Sequence, residues 1–172
     1  ILYILYYCKK KNLNFLRVLD IYSLSLLLGQ AIGRWGNFFN QEAYGGKTTL
    51  AALKSLHLPQ FIIDGMYIDG FYRQPTFLYE SIWCLIGVFI LIRIRKKYEN
   101  QFGRQVSFYL IWYGIGRLFI EGLRSDSLYL GIFRVSQLVS VAMVVIGCFL
   151  SFRIKHRGGV QNKIIGGEDG RI

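Results

Sequence analysis

Acidic and metal-binding residues are scarce in this chain. Ten Asp and Glu stand against 21 Lys and Arg, with two His and three Cys among 172 residues. Cys8, Cys84 and Cys148 each sit alone in an apolar run. Without a Cys-x-x-Cys pair they exclude a disulfide framework and read as small buried hydrophobes. No spacing of His, Cys and carboxylates suits a metal ion, so neither a metal nor a cofactor is expected. Charged residues of both signs make up only 18% of the chain, hydrophobic ones 53% and aromatics 16%. With a mean hydropathy of +0.34, this balance excludes an ordinary soluble domain and points to a membrane protein.

The formal net charge of +11 raises nucleic acid as a partner, but its distribution argues against one. Lys9, Lys10, Lys11 and Arg17 form one patch, Arg93, Arg95, Lys96, Lys97 and Arg104 a second, and Arg153, Lys155, Arg157, Lys163 and Arg171 a third. Apolar stretches separate them, which is the positive-inside pattern and not a basic face. The opening "ILYILYYCKKK" carries its charge after the apolar run, where a signal peptide would carry it before. It reads as the end of a membrane helix at about 1–8, with the chain beginning inside that helix.

Four complete spans follow, at about 18–36, 76–92, 105–123 and 132–152, each near the length a bilayer requires. The expected fold is all-α: a polytopic integral membrane protein with one transmembrane domain over 1–157 and a Gly-rich, disordered cytoplasmic tail over 158–172. With the basic patches cytoplasmic, 37–75 is external. There Leu50, Leu53 and Leu56 predict a short amphipathic helix on the membrane surface. Asp64-Gly65, between two β-rich triplets, predicts a two-residue hairpin. Gly29-x-x-x-Gly33 and Gly114-x-Gly116 suggest close helix packing.

The stretch "GRWGNFFNQEAYGG" ends the second span in Arg34, Asn37, Asn40 and Glu42. Arg117, Glu121 and Arg124 fall at i, i+4 and i+7 of one helix face. Gln74 and Glu80 flank the start of another span. The topology gathers all of these near the outer interface, at the depth of a phospholipid headgroup. Charges in a span usually face a cavity or each other and mark function, and guanidinium groups match phosphate oxygens bidentately. Each group also has a structural reading. Arg117 and Glu121 suit an intrahelical ion pair, Arg34 a snorkelling anchor, and Asp20 and Arg134 anchors at helix ends.

"LGQAIGRWGNFFNQEAYGG", "FIIDGMYIDGFYRQPTFLYES" and "YGIGRLFIEGLRSDSLYLGIFRVSQLVS" closely resemble the signatures of the prolipoprotein diacylglyceryl transferases, integral enzymes of the bacterial cell membrane. The resemblance implies a transferase acting on phosphatidylglycerol and on the lipobox cysteine of a prolipoprotein signal peptide, in contact with membrane lipid and with no nucleic acid. The diacylglyceryl group passes to the thiol, giving a thioether and releasing glycerol phosphate. By the same resemblance Arg34, Asn37, Glu42, Arg117 and Glu121 are catalytic, and Arg34, Asn37, Asn40, Arg117 and Arg124 hold phosphatidylglycerol. The active site is expected near the outer face and the C-terminus in the cytoplasm. The family's His-Gly-Gly motif and an N-terminal tyrosine would lie upstream of Ile1, and Gln74 stands where many members have His. The resemblance therefore implies roughly the C-terminal two-thirds of a seven-helix enzyme, inactive alone. The competing class is a lipid transporter or a membrane scaffold. A phosphatidyl-transferring synthase would need an Asp-rich metal motif, which the sequence lacks.

Overall fold

The computed structural model describes residues 2–98, 101–123, 129–130 and 133–168, with backbone alone for 129, 130, 133 and 157–168. The chain is mostly helical. Helix α1 covers Leu2–Lys10, α2 Phe15–Phe39, α5 Thr76–Lys97, α6 Arg104–Leu123 and α7 Val135–Glu168. Between α2 and α5 lie strand β1 (Lys47–Thr48), helices α3 (Leu50–Ser55) and α4 (Gln60–Gly65), and strands β2 (Tyr67–Ile68) and β3 (Phe71–Arg73). Strands β4 (Tyr129–Leu130) and β5 (Phe133–Arg134) pair just before α7.

Phe15–Phe39, Thr76–Lys97 and Val135–His156 are long and apolar enough to cross a membrane by length and composition. Helix α6, of 20 residues, carries Arg104, Arg117 and Glu121 and is not among them. Helix α2 begins before residue 18 because the Asn14 side chain caps it, accepting from the amides of Leu16 at 3.0 Å and Arg17 at 3.3 Å. The backbone of α7 continues as helix to Glu168, where a disordered tail was expected from 158. Once a helix is nucleated, each added residue contributes a hydrogen bond for the dihedrals it fixes.

Helices α2, α5 and α6 pack against one another, and α7 lies along α6. Leu27, Ala31, Cys84, Leu91 and Tyr109 form their shared core. The α5–α6 register is fixed by a reciprocal contact. The Trp83 indole donates to the Trp112 carbonyl and the Trp112 indole to the Trp83 carbonyl, both at 3.0 Å. The rings stack with centroids 4.2 Å apart. Trp112 lies over Gly87 and Trp83 over Gly116, where a Cβ would collide with the indole. At Gly114 and Gly147 the α6 and α7 backbones approach closely, as small residues permit in lipid. Among the described residues nothing lies within 4 Å of the Cβ positions of Gly29 and Gly33. Cys8 and Cys84 are buried as expected, but Cys148 is exposed.

The segment between α2 and α5 folds on the end of those helices. Leu53, Ile62, Ile63, Met66, Ile68 and Phe77 form its core, with Trp35 and Phe38 packed against it. Leu53 thus lies inside this small core, while Leu56 is exposed. The three strands are antiparallel in the order β1-β3-β2. The hairpin is five residues downstream of its expected place, at the second Asp-Gly of the segment. Asp69 and Gly70 have φ of 53° and 78°, as a type I′ turn requires. Asp64-Gly65 instead closes α4, where Asp64 accepts from Gln60 at 2.8 Å and the Phe38 ring covers Gly65.

At the opposite end Asp20 is buried and accepts from the amides of Gly103 at 2.6 Å and Val106 at 2.8 Å. It caps the α6 N-terminus from α2, which replaces the anchor reading. Leu16 and Ile154 flank Gly103, so the start of α2, the loop before α6 and the part of α7 that carries Arg153 and Lys155 meet at this end. Asp20→Ala is expected to cost about 1–3 kcal/mol. Asp20→Asn, which keeps one acceptor, should cost less. Thermal unfolding in detergent compares the two.

Candidate functional site

Four residues converge at the head end of the bundle. From Asp20 to Arg34 the α2 axis rises about 21 Å, which puts Arg34 at the level of the first turns of α5 and the last of α6. Glu80, one turn into α5, lies between two arginines. Its Oε2 pairs with Arg34 Nε and its Oε1 with Arg117 Nη1 at 3.1 Å. On the far side Arg117 Nη2 pairs with Glu121 Oε2 at 2.9 Å. Arg34 Nη2 also donates to the Tyr113 hydroxyl at 3.4 Å. Glu80 is 5% exposed and Glu121 3%, so neither carboxylate is screened as a surface pair would be.

The local sequence accounts for each placement. Arg117 and Glu121 are one turn apart on α6, in reach for an i,i+4 pair. Glu80, Cys84, Gly87 and Leu91 share the buried face of α5. The Trp83–Trp112 contact then sets α5 beside α6 so that Glu80 meets Arg117. Two cations face two carboxylates, and the cavity among Glu80, Trp83, Cys84, Tyr113, Gly116 and Arg117 has a volume of about 10 Å³, enough for a single water.

Of the residues expected at the site, the structure joins Arg34, Arg117 and Glu121. Asn37 is half-buried one turn beyond Arg34, and its carbonyl accepts from the Glu42 amide at 3.0 Å. Asn40 and Glu42 are exposed and paired with each other at 3.4 Å. The carboxylates that hold the guanidinium groups are Glu80 and Glu121, not Glu42. Arg124 lies outside the described residues. Gln74 contributes its backbone, exchanging bonds of 3.0 Å with Gly45 and Gly46. The anchor reading of Arg134 gives way to a helix C-cap, since Arg134 Nη1 donates to the Glu121 carbonyl. The Gly46 amide caps Leu123 in the same way at 3.1 Å.

Sequence reasoning missed the central place of Glu80 and the contact of Tyr113. It also missed the loop after α2, where Gln41 and Ala43 have φ of 52° and 57°. Such left-handed non-glycine residues persist only when their surroundings impose them. Here the Thr76 hydroxyl holds the Ala43 carbonyl at 2.7 Å. Removing one partner of a buried ion pair costs about 3–5 kcal/mol. Glu80→Ala is therefore expected to destabilise the fold by that amount, whereas Glu42→Ala, on the surface, changes it by under about 0.5 kcal/mol. Chemical unfolding of the two variants checks the contrast.

Comparisons with known proteins identify the family. The prolipoprotein diacylglyceryl transferase family matches residues 1–153. A Staphylococcus xylosus protein named phosphatidylglycerol–prolipoprotein diacylglyceryl transferase is 51% identical over 153 residues, covering 87% of this chain and 54% of its own. Proteins of the same name from Bacillus cytotoxicus and Staphylococcus haemolyticus are 54% identical over 140 residues and 53% over 153. They are covered over 52% and 54% of their lengths by 81% and 87% of this chain. The chain thus spans about half the length of the curated relatives it matches, less than the two-thirds expected. These matches show that the chain belongs to the prolipoprotein diacylglyceryl transferase family, and its apolar helices fit a bacterial membrane protein.

Proposed function

We propose that this chain carries the headgroup site of an enzyme that transfers the diacylglyceryl group of phosphatidylglycerol to a prolipoprotein cysteine. The observation that supports it most is the meeting of Arg34 and Arg117, from separate helices, on one buried carboxylate. Guanidinium groups so placed are spaced for the oxygens of a single phosphate once Glu80 gives way. Arg124 is a third contact, and Asn37, one turn beyond Arg34, orients the headgroup through its amide together with Asn40. Glu80 and Glu121 hold the arginines in place. Glu42 positions the loop that carries Asn40.

In the reaction the substrate's thiol sulfur attacks the glycerol carbon that bears the phosphate. A C–S bond forms and the C–O bond to phosphate breaks, so glycerol phosphate leaves with the electron pair. The thiol proton passes to a base. A free thiol has a pKa of about 8.5, and nearby cations enlarge the thiolate fraction. Negative charge grows on the departing phosphate, and arginines fixed in a dry site stabilise that change more than the ground state.

The proposed topology is multi-pass, with the basic end and the C-terminus in the cytoplasm and the Arg34 cluster near the outer face. Its support is that Arg17, Arg104, Arg153 and Lys155 lie at the end opposite the cluster. Labelling Asn40→Cys in intact cells with an impermeant thiol reagent tests the sidedness. Reaction from outside is expected, and protection would contradict it. In a protein active on a cysteine-bearing lipobox peptide, Arg34→Lys is expected to lower transfer at least about 100-fold while folding is retained, because one ammonium lacks the bidentate fork. Near-normal transfer by the lysine variant would remove the phosphate-clamp role. Lipid movement without release of glycerol phosphate would favour the transporter alternative.

A further inference from the structure

Below the arginine cluster a second polar group is buried in the bundle. Gln30, one turn before Arg34 on α2, sits about 6 Å deeper along the helix axis. Its Nε2 donates to the Tyr109 hydroxyl of α6 at 3.0 Å, and Tyr109 stacks in parallel on Tyr113, the arginine's partner. Gln30 Oε1 is buried and has no hydrogen-bond partner. An amide held at one end and left open at the other, nine residues before the end of an apolar spanning helix, is costly to keep where a leucine would pack.

The surroundings of Gln30 define what can reach it. Gly29 and Gly33 are exposed beside it on α2, and where each would carry a Cβ there is open space. A main chain can come closer there than to any residue with a side chain. The open atom of Gln30 is an acceptor, so its ligand is a donor. The buried part of a diacyl lipid offers ester carbonyls and methylenes, which are acceptors or inert. A peptide drawn out of helical form at this depth has free backbone N–H groups, for which the hydrocarbon chains offer no acceptor and a fixed amide oxygen of the protein does.

We infer that Gln30 Oε1, beside the open backbone of Gly29 and Gly33, accepts a hydrogen bond from a backbone N–H of the peptide substrate just ahead of its reactive cysteine. The inference rests on the proposed transfer reaction. It makes Gln30 a binding residue for the peptide and not for the lipid, with Tyr109 positioning its amide.

The test uses the whole protein in phosphatidylcholine nanodiscs, a fluorescent apolar peptide with one cysteine, and copies N-methylated in turn at the three backbone nitrogens before that cysteine. Gln30→Leu is expected to weaken peptide binding about five- to tenfold, as loss of one hydrogen bond does, and to leave phosphatidylglycerol affinity unchanged. One N-methylated copy should bind the wild type correspondingly less well, yet bind Gln30→Leu no worse than the parent peptide does. Tyr109→Phe, which frees the amide without removing it, should give a smaller loss. Equal peptide affinity in wild type and Gln30→Leu overturns the inference, as does a fall confined to phosphatidylglycerol. Failure of the wild type to bind the peptide at all would instead overturn the transferase reading and this inference with it.

Discussion

One carboxylate organises the head end of the helix bundle. Glu80 of α5 faces Arg34 of α2 and Arg117 of α6, so three helices meet through one buried carboxylate. The desolvation of Glu80 and Glu121 is offset only while both arginines remain in place. In the proposed reaction each guanidinium group exchanges a carboxylate for a phosphate, so the structural and chemical uses of the cluster are one interaction seen with and without substrate.

That interaction depends on helix register, which other contacts set. The two indoles that donate across the α5–α6 seam lock Trp83 beside Trp112. At the far end Asp20 ties α2 to the first turn of α6. A slide of α6 by one residue would turn Arg117 about 100° away from Glu80. The head segment closes the remaining side, with Gly46 bound to the last carbonyl of α6 and Trp35 and Phe38 under its core. Nothing in this scheme needs a long-range polar chain. Small residues and aromatic rings at the seams suffice.

How much of this was legible beforehand follows from the range of each signal. The i,i+4 spacing of Arg117 and Glu121 is local, and the structure shows the pair directly. The apolar runs located the helices, with ends displaced where a cap such as Asn14 or a basic last turn extends them. Glu80 was not legible as the hub, because a lone glutamate in the first turns of a span has no local pattern and its partners are 46 and 37 residues away along the chain. Asp20 failed for the same reason: its partners are backbone amides of another helix. The two Asp-Gly pairs show the limit most plainly. Identical dipeptides lie five residues apart, and tertiary packing of Ile62, Ile63 and Phe38 decides that the first ends a helix and only the second turns a hairpin.

The most direct measurement is a structure of the protein with a non-cleavable phosphatidylglycerol analogue. The account predicts the phosphate within hydrogen-bond distance of both Arg34 and Arg117, with Glu80 turned off at least one of them. A headgroup bound elsewhere, with the Arg34–Glu80–Arg117 contacts intact, would contradict it.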